Sequence, residues 1–588
     1  MANYEQVLFD IEKTLHKNKA RGASFAIFDE EKIIYSSQIG VAEKNIKNDN
    51  KKIDRNITSS TKFMLGDMAK VLTAIAIMKL VEDGKIALTD DIKKYLPEFS
   101  IKSRFDDDEI TIADLLKNRS GLPSENIEFR CRDKEVTEKE LLDYLKEQYL
   151  VAPPKMMSSH SELAYILLGK IIEKISEKKY CDFLEENIFK PLDIKVKYVN
   201  TYEDYLGYKN ELALIDENYY KIDYRRIGKE TSTKSNGFIS CEDFLKIVRL
   251  FIGKNEKSNN VLKLETLKPM TEEPHYESDV QGNLKTGLGL EFSNDYYKIF
   301  GNTFGYTNRS KYYESSFIII PSKNIGALVF VNSIDTNISE KICVDLLKNE
   351  LGINYEAERT KRQIRYVNCR IEDYAGYYPA YDKQIEIYLG DFLTMKIGDN
   401  YYKMLLKENG YFDLFKVDKK RFFSSKEVLE RNALIKNNFL TLIDFDNDAI
   451  RTNTIGYYCK PTKINEVWKK ALGEYRLNSS KRFTGIVSEK MELTIENDFL
   501  TMVLCIDGEI KKMTLVSLND QEAINLGYGD FSNETIFLNL STIKFNGLSY
   551  DKIKESPINK VKIKKVNEEK IIRKNKQKKI DKMFDFKD

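Results

Sequence analysis

The stretch Phe63 to Leu80, FMLGDMAKVLTAIAIMKL, reads as a helix that is apolar nearly all round. Such a helix has no solvated face and belongs at the centre of a large domain. Gly66 and Asp67 supply its start signal, because Asp is a good N-cap residue and its carboxylate suits the positive end of the helix dipole. Val71, Leu72, Ala74, Ile75, Ile77, Met78 and Val81 then leave little room for water. Lys70 is the anomaly. An ammonium in the first turn of a buried helix keeps its charge only if paired, and Asp67, three residues earlier on the same face, is the partner the spacing offers.

The flanks extend the pattern: FMLGDMAK is followed by LVEDGKIALTDDIKKYLPEF and then by ITIADLLKNRSGLP. This order resembles the serine β-lactamase and penicillin-binding-protein family, in its class C and D-peptidase branch. Members carry F-x-[IL]-G-S-x-[ST]-K before an alanine-rich apolar helix, and then a run ending Y-L-P-E-F. The resemblance implies an α/β (α+β) domain in which an antiparallel sheet is flanked by helices. It also implies three convergent motifs: a serine nucleophile with a lysine base three residues on, a Y-x-N, and a strand bearing K-T-G or H-x-G.

Aligned by flanks, each motif is altered here. Asp67 stands at the serine position with Lys70 at the lysine. A carboxylate cannot become an alkoxide, and it holds Lys70 as an ammonium. AYILLGKIIEK matches the family's N-Y-I-L-L-G-x-I-I-E-K helix and puts His160 at the tyrosine and Glu162 at the asparagine. TGLGLEF upstream and FIIIPSKNIGALVFVNS downstream put Asn302 where the family has Lys or His, and Phe304 where it has Gly. Phe304 is expected to fill space that a substrate needs. Two literal matches, Ser59 to Lys62 (SSTK) and Lys285 to Gly287 (KTG), lack the right context, and Ser120 belongs to a turn.

The chain of 588 residues is too long for one core and implies two or three domains. The first expected domain spans 1–355. It opens with an amphipathic helix to about residue 20 whose stripe is Val7, Leu8, Ile11 and Leu15, then two strands in GASFAIFDEEKIIYSSQIG, the first buried on both faces. The resemblance makes these the opening of a five-stranded sheet completed near residues 298–332, with helices at about 136–148 and 161–178 and one opening near Cys241 in between. Arg359 to Arg370 reads as a linker, beyond which strands dominate. DYAGYY then DFLTM (391–395) recurs as ALGEYR then DFLTM (498–502), an identical pentapeptide 107 residues on. Two tandem all-β modules follow, at 371–465 and 466–555, resembling the lipocalin-like barrels behind some D-aminopeptidases of the family. Residues 556–588 form a basic tail.

Net charge is only +2, so nothing global points to nucleic acid, and no apolar run reaches transmembrane length. The N-terminus lacks the order of a signal peptide, which predicts a soluble cytoplasmic protein; its Lys, Asn, Ile and Tyr bias suggests a bacterial genome. Seven scattered cysteines give neither a zinc cluster nor a disulfide framework. No cofactor or metal is expected, although Asp67, His160 and Glu162 in one cleft would supply one imidazole and two carboxylates. Three functions remain open: a non-acylating pseudoenzyme whose cleft binds a peptide or protein, a hydrolase of the D-peptidase or esterase type with a rearranged site, and a scaffold acting through its β modules.

Overall fold

A computed structural model describes residues 3–555 except 49–50, 106–108, 132–135, 200, 215–236, 253–259, 277–283, 294–299, 310–312, 334–337, 354–364, 368–369, 371–372, 391, 418–427, 437, 447–448, 479–485 and 529–534. The basic tail and much of the linker expected at 359–370 lie outside the described residues.

The first region is built on strands β1 (Gly22–Asp29), β2 (Ile33–Asn48) and β3 (Lys51–Asn56), then, after a small sheet of β4 (Lys62–Met64), β5 (Lys197–Tyr198) and β6 (Gly237–Ser240), on β7 (Leu284–Thr286), β8 (Glu291–Ser293), β9 (Thr303–Arg309), β10 (Tyr313–Ile320) and β11 (Ile325–Asn332). The main sheet runs β3-β2-β1-β11-β10-β9-β8-β7. The five strands expected are its middle; β3 on one edge and β7 and β8 on the other widen it to eight. Its pairings are antiparallel, β1 lying along β11 from Gly22↔Asn332 to Asp29↔Ile325.

Both faces are covered, and the period-2 alternation of a strand shows how. Phe25 and Ile27 of β1 join the core beneath helix α1 (Tyr4–Lys17) and helix α2 (Ser339–Leu351) of the chain's end of this region, while Ala26 and Phe28 join the core of the helical insertion. Hence β1 carries almost no polar residue. Val7, Ile11 and Leu15 of α1 are buried and Leu8 lies at the margin.

The central helix, Met68–Glu82, buries twelve of its fifteen residues, Lys70 included. Asp67 precedes it with φ −66° and ψ −13°, and its side chain makes no capping hydrogen bond. The expected N-cap role therefore fails for the carboxylate, which turns instead toward Lys70. The helices expected at 136–148, 161–178 and from Cys241 are Glu138–Glu147, Glu162–Ser176 and Cys241–Val248.

Beyond residue 372 the described chain is almost all strand. Eight antiparallel strands from Gly376–Tyr377 to Ala449–Tyr457 form one sheet, and eight from Gly473–Leu477 to Leu548–Glu555 close into a barrel. In the first, the end strand is drawn back toward the opening one by Cys459, whose N–H donates to the Tyr377 carbonyl at 2.9 Å. The repeated sequence falls at equivalent places. Gly376 and Gly473 open the first strand of each unit, and the two L-T-M triplets lie in the third strands, Leu393–Ile397 and Phe499–Ile506.

These β units grip the helical insertion. Ile127, on the short helix Ile127–Cys131, is buried within the barrel's own core cluster, and its N–H donates to Asn546 at 2.6 Å. Lys102 donates to Glu522 of the barrel at 2.7 Å. Val151, Ala152 and Met157 are buried against Phe439 of the first β unit and Tyr528 of the barrel, whose rings lie 5.4 Å apart.

Candidate functional site

Gly66 turns the chain into the central helix with φ +52°, and a Cβ there would stand 2.5 Å from Asn308 Oδ1. Asn308 is fully buried on β9 and donates to the Tyr313 carbonyl at 3.2 Å, so it cannot give way. Its Oδ1 accepts from the Asp67 N–H at 3.1 Å. That N–H, at the start of a helix, is the kind of donor that would otherwise face an anion in the cleft. Gly66→Ala is therefore expected to destabilise the chain by about 2 kcal/mol or more, since it adds left-handed strain to this clash. Urea unfolding checks it; an unchanged midpoint would show that the turn is not confined as described.

Lys70 follows in the first helical turn, with 2% of its side chain exposed. Its ammonium lies 3.1 Å from Asp67 Oδ1 and 2.5 Å from Glu162 Oε1, and contacts His160 Nε2. Two carboxylates thus pair with the ammonium, and the imidazole stands against it. The Tyr165 ring lies 5.6 Å away, anchored by its hydroxyl, which donates to the Leu116 carbonyl at 2.8 Å. Burial alone would disfavour charge on Lys70, but the Asp67 and Glu162 carboxylates outweigh it and raise its pKa well above the usual value. Burial likewise pushes Asp67 up, yet the Lys70 charge, aided by His160, prevails and holds it at about 2. The site keeps both charges.

His160 and Glu162 reach Lys70 from the start of the helix Glu162–Ser176. Ser161 is the N-cap, accepting from the Ala164 N–H at 3.1 Å. The segment is pinned by main chain on either side: the Ser159 N–H donates to the Asn118 carbonyl at 2.7 Å, the Ser161 N–H to Asn118 Oδ1 at 3.3 Å, and the Glu162 N–H to the Ser124 carbonyl at 2.6 Å. Ser120 is buried in this same turn, its hydroxyl accepting from the Leu122 N–H at 3.4 Å. Asp67, His160 and Glu162 each offer a ligand atom within 4.8 Å of the others, and the side chains are 34%, 40% and 29% exposed.

Asn302 stands apart from this cluster. It is exposed at the turn before β9, and its amide donates to Glu273 at 3.5 Å. Phe304 is buried in the core with its ring 5.7 Å from that of Phe292, so it does not fill the cleft as expected. The β9 side chains that matter lie further along the same face. Tyr306 is buried close enough for the Lys70 charge to act on its hydroxyl, and Asn308 holds the Asp67 N–H. Sequence reading missed both, although the alternation Phe304, Tyr306, Asn308 was there to be followed. The literal motifs go elsewhere. Ser59 is exposed, and Lys62 is buried with its ammonium donating to the Lys195 carbonyl at 2.8 Å. Lys285 is paired with Glu273 at 2.5 Å.

Comparisons with known proteins fit this arrangement. The protein-family model described as Beta-lactamase matches residues 10–343, more than half of the chain. The chain is similar to Beta-lactamase-like protein 4 of Dictyostelium discoideum, at 29% identity over 258 residues, which is 41% of this chain and 45% of that protein. It is also similar to Protein flp of Staphylococcus aureus (strain MW2), at 27% identity over 194 residues, 32% of this chain and 37% of that one. The matched part thus spans less than half the length of these relatives. Among solved structures, the octameric penicillin-binding protein homologue from Pyrococcus abyssi aligns with a TM-score of 0.51 and 20% identity over 75% of this chain and 98% of that one. SurE with D-Leu aligns with a TM-score of 0.54 and 16% identity over 77% and 99%. At these identities the likeness is one of fold.

Proposed function

The chain belongs to the beta-lactamase family, and from that premise we propose that it is a non-acylating member in which Asp67 replaces the nucleophile and the cleft binds a peptide or protein partner. One observation carries the reading: Lys70 is paired with the Asp67 and Glu162 carboxylates, which hold it as an ammonium with no lone pair to accept a proton. The engaged Asp67 N–H supports it further, because a tetrahedral oxyanion needs free donors aimed at it. Attack by the Asp67 carboxylate itself would give a mixed anhydride, a high-energy product from an amide. The acidic character left in the cleft belongs to Asp67 and Glu162, with His160 between them.

On the same footing we divide the chain into a domain of residues 1–355, lipocalin-like modules at 371–465 and 466–555, and a basic tail. The repeated strands and the closed barrel favour this division. Among the described residues no helix is long and apolar enough to cross a membrane.

Intact-mass spectrometry after incubation with a penicillin tests the central claim. The expected spectrum shows the unmodified mass alone. A stoichiometric adduct, lost on Ser59→Ala, would overturn the reading and assign the chemistry to the exposed SSTK serine.

A further inference from the structure

We propose that the cleft receives its partner by a primary ammonium group, held on the outward oxygens of Asp67 and Glu162 and by the Tyr306 hydroxyl. The inference rests on the reading of the cleft as a binding site and adds the chemistry of what it binds. Lys70 fills the centre of the cluster, 3.1 Å from Asp67 Oδ1 and 2.5 Å from Glu162 Oε1, so a ligand meets only the outer rim. That rim is open. The Asp67 and Glu162 side chains are 34% and 29% exposed, and with Oδ1 and Oε1 engaged by Lys70 their other oxygens are left for a further donor. Two carboxylates against one ammonium also leave a negative charge in excess. An anionic ligand finds no partner in Lys70, which is 2% exposed and taken up by both carboxylates.

Tyr306 points to the same ligand independently. It is 6% exposed, and among the described residues its hydroxyl has no hydrogen-bond partner. A buried polar group left unpaired carries a cost that a bound donor relieves. The hydroxyl lies where both the Lys70 charge and the Asp67 carboxylate act on it. Burial pushes its pKa well above the usual value, so it is a neutral phenol whose oxygen can accept. A primary ammonium carries three N–H donors and a full charge on one atom, which suits two carboxylate oxygens and a phenol oxygen. The segments bearing these acceptors are fixed before a ligand arrives: Asp67 by Asn308, Glu162 by the Ser124 carbonyl, and Tyr306 in β9 opposite Phe317. Such a group comes from a lysine side chain or from the amino terminus of a peptide, and the two are separable by experiment.

Isothermal titration calorimetry of the full chain at pH 7 and low salt is the test. Acetyl-Ala-Lys-Ala-amide and its counterparts with norleucine or glutamate in the middle compare an ammonium, no charge and a carboxylate on one backbone, and unacetylated Ala-Ala-Ala-amide offers an amino terminus instead. We expect the lysine peptide or the amino-terminal peptide to bind at least about 10-fold more tightly than the norleucine peptide, the tighter of the two naming the source, and the glutamate peptide to bind least. Glu162→Gln, which keeps the shape of the side chain, should abolish the preference, and Tyr306→Phe should reduce it. Should one variant not fold, the other and the comparison among peptides still decide. Equal binding of the charged and norleucine peptides, a preference for glutamate, a preference that survives both substitutions, or no binding of any peptide would each overturn the proposal. A penicillin adduct would sink the non-acylating reading, whereas an unmodified mass with no preference for the ammonium sinks this inference alone.

Discussion

Lys70→Met is expected to cost about 3 kcal/mol of stability at pH 7, the low end of what breaking a buried ion pair costs. The estimate is at the low end because Asp67 and Glu162 are each about a third exposed and water screens part of their charge. What remains is two carboxylates against one another with no cation between them. The sign of the pH dependence follows. In the unmodified chain Lys70 is raised, so its contribution is present below its unfolded pKa of about 10.4 and is lost only as pH climbs through the folded value. Asp67 is held at about 2, so its contribution is present above an unfolded pKa of about 3.9 and disappears as pH falls toward the folded value. Between about pH 4 and 10 both contributions are intact. In the variant the Lys70 charge no longer outweighs burial, which raises Asp67, so the penalty is relieved by acid. The gap between the two proteins should therefore narrow from pH 7 to pH 4.5. Urea midpoints at the two pH values measure it, and a gap that stays constant or widens would show that the carboxylates do not depend on Lys70.

Restoring acylation should take more than a serine. Asp67→Ser leaves Lys70 paired with Glu162 at 2.5 Å and leaves the residue-67 N–H donating to Asn308, so neither base nor oxyanion donor is recovered. The single variant is expected to acquire no penicillin adduct within an hour. Adding His160→Tyr and Glu162→Asn lets the lysine lose its proton and should raise the rate by about 10²–10⁴, the usual worth of a positioned general base. Asn308→Ser on top of these frees the N–H and should add about 10²–10³. Phe304→Gly has no place in the set, because it would hollow the core beside Phe292. Time-resolved intact-mass spectrometry decides the matter. If Asp67→Ser alone acylates as fast as the multiple variants, Glu162 and Asn308 do not restrain the site.

Much of this was legible in local spacing. An all-round apolar helix announces its burial, and residues three apart at its start share a turn, so Lys70 and Asp67 could be paired on paper. The G-x-Y and DFLTM repeats located corresponding strands because identical segments occupy identical pleats. What escaped was set by tertiary approach. Glu162 could be placed near the cleft but not identified as the second partner of Lys70, since that depends on how two helix starts meet. Asn308 escaped because register across β8, β9 and β10 decides which of Asn302, Phe304, Tyr306 and Asn308 reaches the central helix. Ile127, an apolar residue in a polar stretch, gave no hint that its neighbours would be those of a barrel more than 300 residues away.

The clamp on Val151, Ala152 and Met157 has a consequence for synthesis of the chain. These residues precede His160 by a few positions, yet the ring that completes their packing, Tyr528, is made roughly 370 residues after Met157. A ribosome adding about 5–20 residues per second needs about 20–75 s to deliver it. Helices form within microseconds, so Glu162–Ser176 is helical early in that interval, while strands β9 to β11 are still to be made and the packing around Met157 stays open to the end. A nascent chain of this kind presents apolar surface to chaperones for tens of seconds, and the packing around Val151, Ala152 and Met157 is completed only when the barrel is made.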